Sequence, residues 1–237
     1  KYIPSKVLTN KELEEMVDTS DEWITSRTGI KERRIAAEDE PTSELALNAA
    51  KEALEDANLK AEELDLILVA TVTPDMFFPA TACILQEKLG AVNASAFDLE
   101  AGCSGFVYGL STASQYIESG MYENILVIGA ETLSKITDWD DRSTCVLFGD
   151  GAGAAVLQPT SKGGLLAFEL GSDGSGGESL YLPGGGSLNP ASQETVKNKL
   201  HYIKMEGNQV FKFAVKKMGQ ASLDVLDKAD IDSDNVD

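Results

Sequence analysis

Three side chains can act as soft nucleophiles, Cys83, Cys103 and Cys145, and a single imidazole, His201, is present to serve any of them as a base. Cys103 has the most telling neighbours. In "DLEAGCSGFVYGL" it follows the strand-like end Asp98–Leu99. Ala101 and Gly102 leave room for a sharp turn, and Ser104 and Gly105 open a helical pattern. A thiol at such a junction faces the amino end of a helix. That end favours negative charge by roughly 0.3–1 kcal/mol, and hence the thiolate, the nucleophilic form of a cysteine. A small buried hydrophobe is the competing reading, and the residues alone divide evenly between the two.

The other chemical patterns are weaker. An odd number of cysteines without C-x-x-C spacing, beside one histidine, fits neither a disulfide framework nor a zinc site, so a reducing cytoplasm and no metal are expected. Gly149, Gly151 and Gly153 in "FGDGAGAAV" lack the G-x-G-x-x-G spacing and lead into an apolar strand pattern. They are read as glycines that let a buried strand start close to its neighbour. "DGSGG" at 173–177 lacks the strand-turn-helix setting of a nucleophile elbow and is read as a turn. Alternation in "KLHYIKMEG" puts His201 at a surface or strand edge, and Asp138, Asp140 and Asp141 read as a solvated acidic loop.

The elements that must position Cys103 alternate between helix and strand. Thr9 or Asn10 caps a short helix through Val17, and Ser20 caps a second that runs through Trp23 to Gly29. Thr42 or Ser43 opens a longer helix whose Leu45, Ala46, Ala49, Ala50, Ala53, Leu54 and Ala57 recur at helical spacing. "DLILVATVTP" and "NILVIGAE" are nearly continuous apolar runs, the pattern of strands buried on both faces. Between them lie a helix closed by Gly90, the strand "SAFDL" and a helix closed by Gly120. This succession predicts an α/β fold with a covered, mostly parallel sheet. A Gly- and Ser-rich tract over 171–192 reads as loops. After it comes a helix with Val210, Phe211, Ala214, Val215, Met218, Ala221, Val225 and Leu226 on one face. Pro159–Gly164 is the expected seam between two halves.

Composition bounds the function. With 237 residues, 43% of them hydrophobic, the chain can bury a sizeable core, and its longest near-continuous apolar run, Leu66–Val72, suits a strand and is too short to span a membrane. A net charge of −19 repels nucleic acid and anionic membranes as main partners. The opening "KYIPSKVLTN" has neither an initiator Met nor a signal-peptide layout, so the chain is expected to begin part-way.

Four stretches together, "DTSDEWITSRTGIKERR", "FDLEAGCSGFVYGL", "DWDDRSTCVLFGDGAGAAV" and "MEGNQVFKFAV", resemble β-ketoacyl-acyl-carrier-protein synthase III, the condensing enzyme that starts type II fatty acid synthesis. The resemblance spans essentially the whole chain in the family's order. It implies the five-layered αβαβα thiolase-like fold, with residues 1–162 forming most of a first half and 163–237 beginning a second. It makes Cys103 the nucleophile that takes the acyl group of a short acyl-CoA before condensation with malonyl-acyl-carrier protein. By the same resemblance Trp23 stacks on the adenine of coenzyme A with Arg142 on the other face, Arg27 lies beside the phosphates and Thr19 near the adenine. Phe78 reaches across a homodimer to cap the partner's acyl pocket, which Leu133, Phe148 and Phe211 wall. Lys212, Lys216 and Lys217 receive the carrier protein. No cofactor is implied, acyl-CoA being a substrate. The family's catalytic His, in an "HQAN"-type motif, and its Asn, in a "GNTSA"-type motif, have no counterpart here, and His201 does not match that His. An incomplete chain that does not condense alone is therefore expected. Alternatives are another acyl-CoA-primed condensing enzyme, of polyketide or quinolone type, and a non-catalytic acyl-CoA-binding fragment.

Overall fold

The computed structural model describes residues 1–236. Its contacts form two compact units, one of residues 1–15, 19–135 and 148–161, the other of 16–18, 136–147 and 162 onward. The first opens with strand β1 (Lys6–Thr9), helices α1 (Asn10–Met16) and α2 (Asp21–Thr28), and strand β2 (Glu32–Ile35), which returns antiparallel to β1. Local chemistry sets these helix ends. Thr9 and Glu12 bond reciprocally at the start of α1, the Glu12 carboxylate accepting the Thr9 N–H at 2.7 Å and Thr9 Oγ1 accepting the Glu12 N–H at 3.3 Å. Ser20 Oγ accepts the Trp23 N–H at 3.1 Å, and Gly29, at φ 74°, closes α2.

The central sheet follows. Helix α3 (Thr42–Asp56), strand β3 (Leu66–Ala70), helix α4 (Thr81–Leu89), strand β4 (Ser95–Leu99), helix α5 (Gly105–Glu118) and strand β5 (Ile125–Thr132) come in succession. A short helix α6 (Arg142–Cys145), part of the second unit, then precedes strand β6 (Asp150–Leu157). The strand order is β4-β3-β5-β6, with β3 parallel to both its neighbours and β6 antiparallel to β5. Alternate side chains divide between two cores. Ile67, Val69, Leu126 and Ile128 pack with α3 and α4, while Leu66, Leu68, Ile125 and Val127 pack with Ala113, Phe106 and Leu110 of α5. All of β3 is buried, as its unbroken apolar run predicts, and each such Leu, Ile or Val contributes about 1.5–3 kcal/mol.

Two glycines let α5 approach this sheet. A Cβ on Gly105 would stand 3.0 Å from the Ala70 Cβ, and one on Gly109 would stand 2.8 Å from Val127 Cγ1. The start of β6 is tied by a buried carboxylate. Asp150 accepts from the Ala36 N–H at 2.7 Å, the Ser134 N–H at 2.9 Å and the Ser134 hydroxyl at 2.5 Å. Gly149, just before it, faces Arg33 and Arg34 so closely that a Cβ would meet both at 3.1 Å, which agrees with close strand packing there.

The second unit contains strand β7 (Leu180–Tyr181), helix α7 (Gln193–Lys197), strand β8 (Lys204–Met205) and helix α8 (Gly207–Lys228). Three features differ from the sequence reading. Leu180–Tyr181 lies inside the tract assigned to loops, yet it pairs antiparallel with Lys204–Met205, a distant partner that composition cannot reveal. His201 sits in the turn after α7 rather than on a strand. Lys199 adopts φ 52° there, and the His201 ring meets Thr195 Oγ1 at 2.9 Å. Asp138 is buried rather than solvated, because Lys199 binds both Asp140, at 2.7 Å, and Asp138, at 3.0 Å. Those two carboxylates, Asp140 first, raise the Lys199 pKa well above its ordinary value. Among the described residues no helix is long and apolar enough to cross a membrane.

Gly109→Ala tests the close approach of α5. The alanine gains about 1 kcal/mol of helix propensity, but overpacking against the stiff, fully buried Val127 costs about 1–3 kcal/mol. A lower urea midpoint is expected, and an equal or higher one would show that the sheet yields.

Candidate functional site at the carboxyl ends of the sheet

Because β3, β4 and β5 are parallel, their carboxyl ends share one edge of the sheet, and antiparallel β6 brings its amino end there, with Asp150 opposite Thr132. Ligands of open α/β sheets bind outside such carboxyl ends. Four expected residues issue from that edge: Cys103 just beyond β4, Phe78 on the 71–80 segment that leaves β3, Leu133 directly after β5, and Phe148 just before β6.

Cys103 occupies a 3-10 turn, Gly102–Ser104, between β4 and α5. Gly102 makes the turn at φ 53°, a left-handed conformation costly for a residue with a side chain. The thiol residue is exposed at the mouth of α5, and Ser104 provides that helix with no side-chain cap. On the upstream side the Thr71 N–H donates to Leu99 O at 3.2 Å, extending the β3–β4 ladder to the turn. Asp98 accepts the N–H groups of Thr81 and Ala82 at 2.7 Å each and so caps α4.

A polar belt lies along the same edge. Glu131, in the last turn of pairing before Leu133, accepts from the Val72 N–H at 2.9 Å, the Thr73 hydroxyl at 2.5 Å and the Thr71 hydroxyl at 3.4 Å. Burial raises the Glu131 pKa above the usual carboxylate range, although these bonds pull it the other way. Thr73 Oγ1 also accepts the Thr132 N–H at 2.9 Å, and Thr42 Oγ1 donates to Thr73 O at 2.6 Å. The sequence reading missed Glu131. Its signal was an acid closing the apolar run "NILVIGAE", matched by the T-x-T that follows "DLILVA".

The remaining expected residues lie elsewhere. Trp23 is half-buried on α2, with the Arg27 guanidinium 5.1 Å from its ring centroid, a cation–π contact. Thr19 directly precedes the α2 cap, and its buried Oγ1 has no hydrogen-bond partner among the described residues. In the second unit Arg142 opens α6, which Asp141 caps through the Ser143 N–H at 3.0 Å. Burial pushes the Asp141 carboxyl up, but its bonds from Ser143 and Thr144 outweigh this and hold it below the usual range. Arg142 donates to Asp18 O, in the same unit, at 2.7 Å. Phe211, Lys212, Lys216 and Lys217 are exposed along α8, none of whose residues is buried. A cleft of about 620 Å³ lined by Thr9, Lys11, Glu22, Thr25, Ser26 and Lys31, among others, holds none of the expected residues. No cluster of three metal-ligating side chains occurs among the described residues.

Comparison with known proteins points one way. Residues 97–174, which include Cys103, Leu133, Arg142 and Phe148, match the family model of 3-oxoacyl-[acyl-carrier-protein (ACP)] synthase III. The β-ketoacyl-[acyl-carrier-protein] synthase III of Caldanaerobacter subterraneus subsp. tengcongensis is 63% identical over 237 residues, covering 100% of this chain and 72% of that protein. Among solved structures, the 3-oxoacyl-[acyl-carrier-protein] synthase III of Aquifex aeolicus superposes with a TM-score of 0.89 at 50% identity, over 99% of this chain and 71% of that one. The Thermus thermophilus β-ketoacyl-[acyl-carrier-protein] synthase III gives 0.90 at 44% identity, over 99% and 72%.

Thiol accessibility follows from the geometry. Under native conditions iodoacetamide is expected to label exposed Cys83 and Cys103 and to spare buried Cys145 until the protein is unfolded. Peptide mass mapping reads the three sites separately, and native labelling of Cys145 at the rate of Cys103 would contradict the placement of α6.

Proposed function

The chain belongs to the β-ketoacyl-[acyl-carrier-protein] synthase III family of thiolase-fold condensing enzymes, acyltransferases of fatty acid biosynthesis, and from that premise we propose that Cys103 is its nucleophile. The observation that carries the assignment is the position of Cys103, exposed at a glycine turn where β4 meets α5 on the carboxyl edge of the sheet. In this reading the Cys103 thiolate attacks the carbonyl of a short acyl-CoA. The carbon–sulfur bond to coenzyme A breaks, and coenzyme A leaves as its thiolate to be protonated. Malonyl-acyl-carrier protein then loses carbon dioxide, and the resulting carbanion attacks the acyl carbon. Cys103 is released and a ketoacyl-carrier protein is formed.

Binding roles complete the proposal. Trp23 and Arg142 hold the adenine, Arg27 meets the phosphates and Thr19 offers its unpaired hydroxyl oxygen near the ring. The cation–π contact of Arg27 with Trp23 supports a site where indole and guanidinium act together. Leu133, Phe148, Phe211 and a Phe78 contributed by a second copy wall the acyl pocket. Two features support a homodimer: β4 pairs on one side only among the described residues, and Phe77 and Phe78 are 81% and 84% exposed. Lys212, Lys216 and Lys217 on exposed α8 place positive charge on an otherwise acidic protein, where an acidic carrier protein can dock.

Incubating the full protein with acetyl-CoA and weighing it tests the nucleophile. Cys103→Ala is expected to abolish the acetyl adduct, while Cys83→Ala leaves it intact; an adduct that survives Cys103→Ala would overturn the assignment. Trp23→Ala is expected to weaken coenzyme A binding by about 1–3 kcal/mol, roughly fivefold to 150-fold. Calorimetry reads that loss, and an unchanged affinity would return Trp23 to a purely structural role.

A further inference from the structure

The segment from Thr71 to Ala80 presents a mechanical problem. Only Thr71 and Thr73 in it are buried, whereas Met76, Phe77 and Phe78 at its tip are 50%, 81% and 84% exposed. The tip residues belong to neither of the core clusters described above, so among the described residues no core packing aims them. Their direction is inherited from hydrogen bonds at the two roots of the segment. At the returning root the Ser43 N–H donates to Asp75 Oδ1 at 2.8 Å, and the Asp75 N–H donates to Thr81 Oγ1 at 3.2 Å. At the departing root one carboxylate takes both the Val72 amide and the Thr73 hydroxyl, and it belongs to Glu131.

We propose that Glu131 is a positioning residue that fixes the reach of the Phe77–Phe78 tip and thereby sets which acyl chains the enzyme accepts. This rests on the assignment of Phe78 to the acyl pocket made above. Three observations carry it. The Val72 and Thr73 bonds, at 2.9 and 2.5 Å, are both made to the Glu131 carboxylate, and charge-assisted bonds of this kind are roughly twice as strong as neutral ones. The same Thr73 hydroxyl receives the Thr132 N–H at 2.9 Å, so the departing root of the segment and β5 are locked to each other through one oxygen. Glu131 also lies two residues before Leu133, and the strand end that holds the tip is thus continuous with another proposed wall of the pocket. A clamp on the backbone of a segment whose outer residues are free moves the outer residues when it is cut.

The test compares hexanoyl-CoA with acetyl-CoA as acyl donor in condensation with malonyl-acyl-carrier protein by the full protein, read as the ratio of their kcat/KM values. Glu131→Ala is expected to bring that ratio about tenfold closer to one, a size within the range caused by ångström-scale misplacement. Glu131→Gln keeps an oxygen for the Val72 amide and an NH2 for Thr73 Oγ1, and is expected to stay within about threefold of the unsubstituted protein. Should Glu131→Ala fail to fold, Thr73→Ala cuts the same clamp from the tip side and is expected to move the ratio in the same direction. Equal losses with both donors and an unchanged ratio would overturn the proposal, since a merely structural role lowers both alike. Phe78→Ala separates the two layers of the argument. If it leaves the ratio unmoved, the pocket assignment falls and this inference with it. If it moves the ratio while Glu131→Ala and Thr73→Ala do not, only the positioning role falls.

Discussion

The rest of the structure depends on the distance between α5 and the sheet beneath it. Ala70 and Val127 leave no space for a side chain on the helix above, and Gly105 and Gly109 are the residues that accept this. With the helix pressed down, its first turn stands over the end of β3, and the 3-10 turn that feeds it has one path from Leu99. The exposure of Cys103 is a result of that path. A side chain placed in this way by backbone packing needs few contacts of its own to hold its position.

Around this fixed point the chain uses carboxylates as fasteners. Asp98 caps α4 on one side of Cys103, Asp150 ties the start of β6 to Ser134 and Ala36, and Glu131 holds the segment that leaves β3. Each accepts backbone N–H groups that strand and helix ends would otherwise leave unpaired, a condition that costs about 1–3 kcal/mol per buried group. Part of the chain's acidity is therefore structural. The remainder lies on the surface and makes the three lysines of α8 a local exception to the prevailing charge.

Much of this was legible in the sequence wherever the signal was local. Ser20 and Gly29 bracket α2, Gly90 and Gly120 end the helices on either side of β4, and the unbroken run of β3 identifies a strand with two covered faces. Cys103 could be placed at a strand-to-helix junction, though the residues alone did not separate a nucleophile from a core thiol. What escaped was non-local. The pairing of Leu180–Tyr181 with Lys204–Met205, the burial of Asp138 by Lys199 and the hold of Glu131 on Val72 all join residues far apart in the chain, and no periodicity records such a meeting. His201 was misread because alternation was extended through a turn that Lys199 makes at positive φ.

The strand order has a consequence for the newborn chain. Strand β3 occupies an interior place in the sheet, yet it is the first of the four strands to be synthesised, and both of its neighbours come later. At roughly 5–20 residues per second, several seconds separate the emergence of Ala70 from that of Ile125. Throughout that interval α3, α4, β4 and α5 become available to cover its five apolar residues, but the edge that β5 will pair stays open. A strand that ends fully buried thus spends those seconds with one backbone edge unpaired, an exposure that a chaperone can shield during translation.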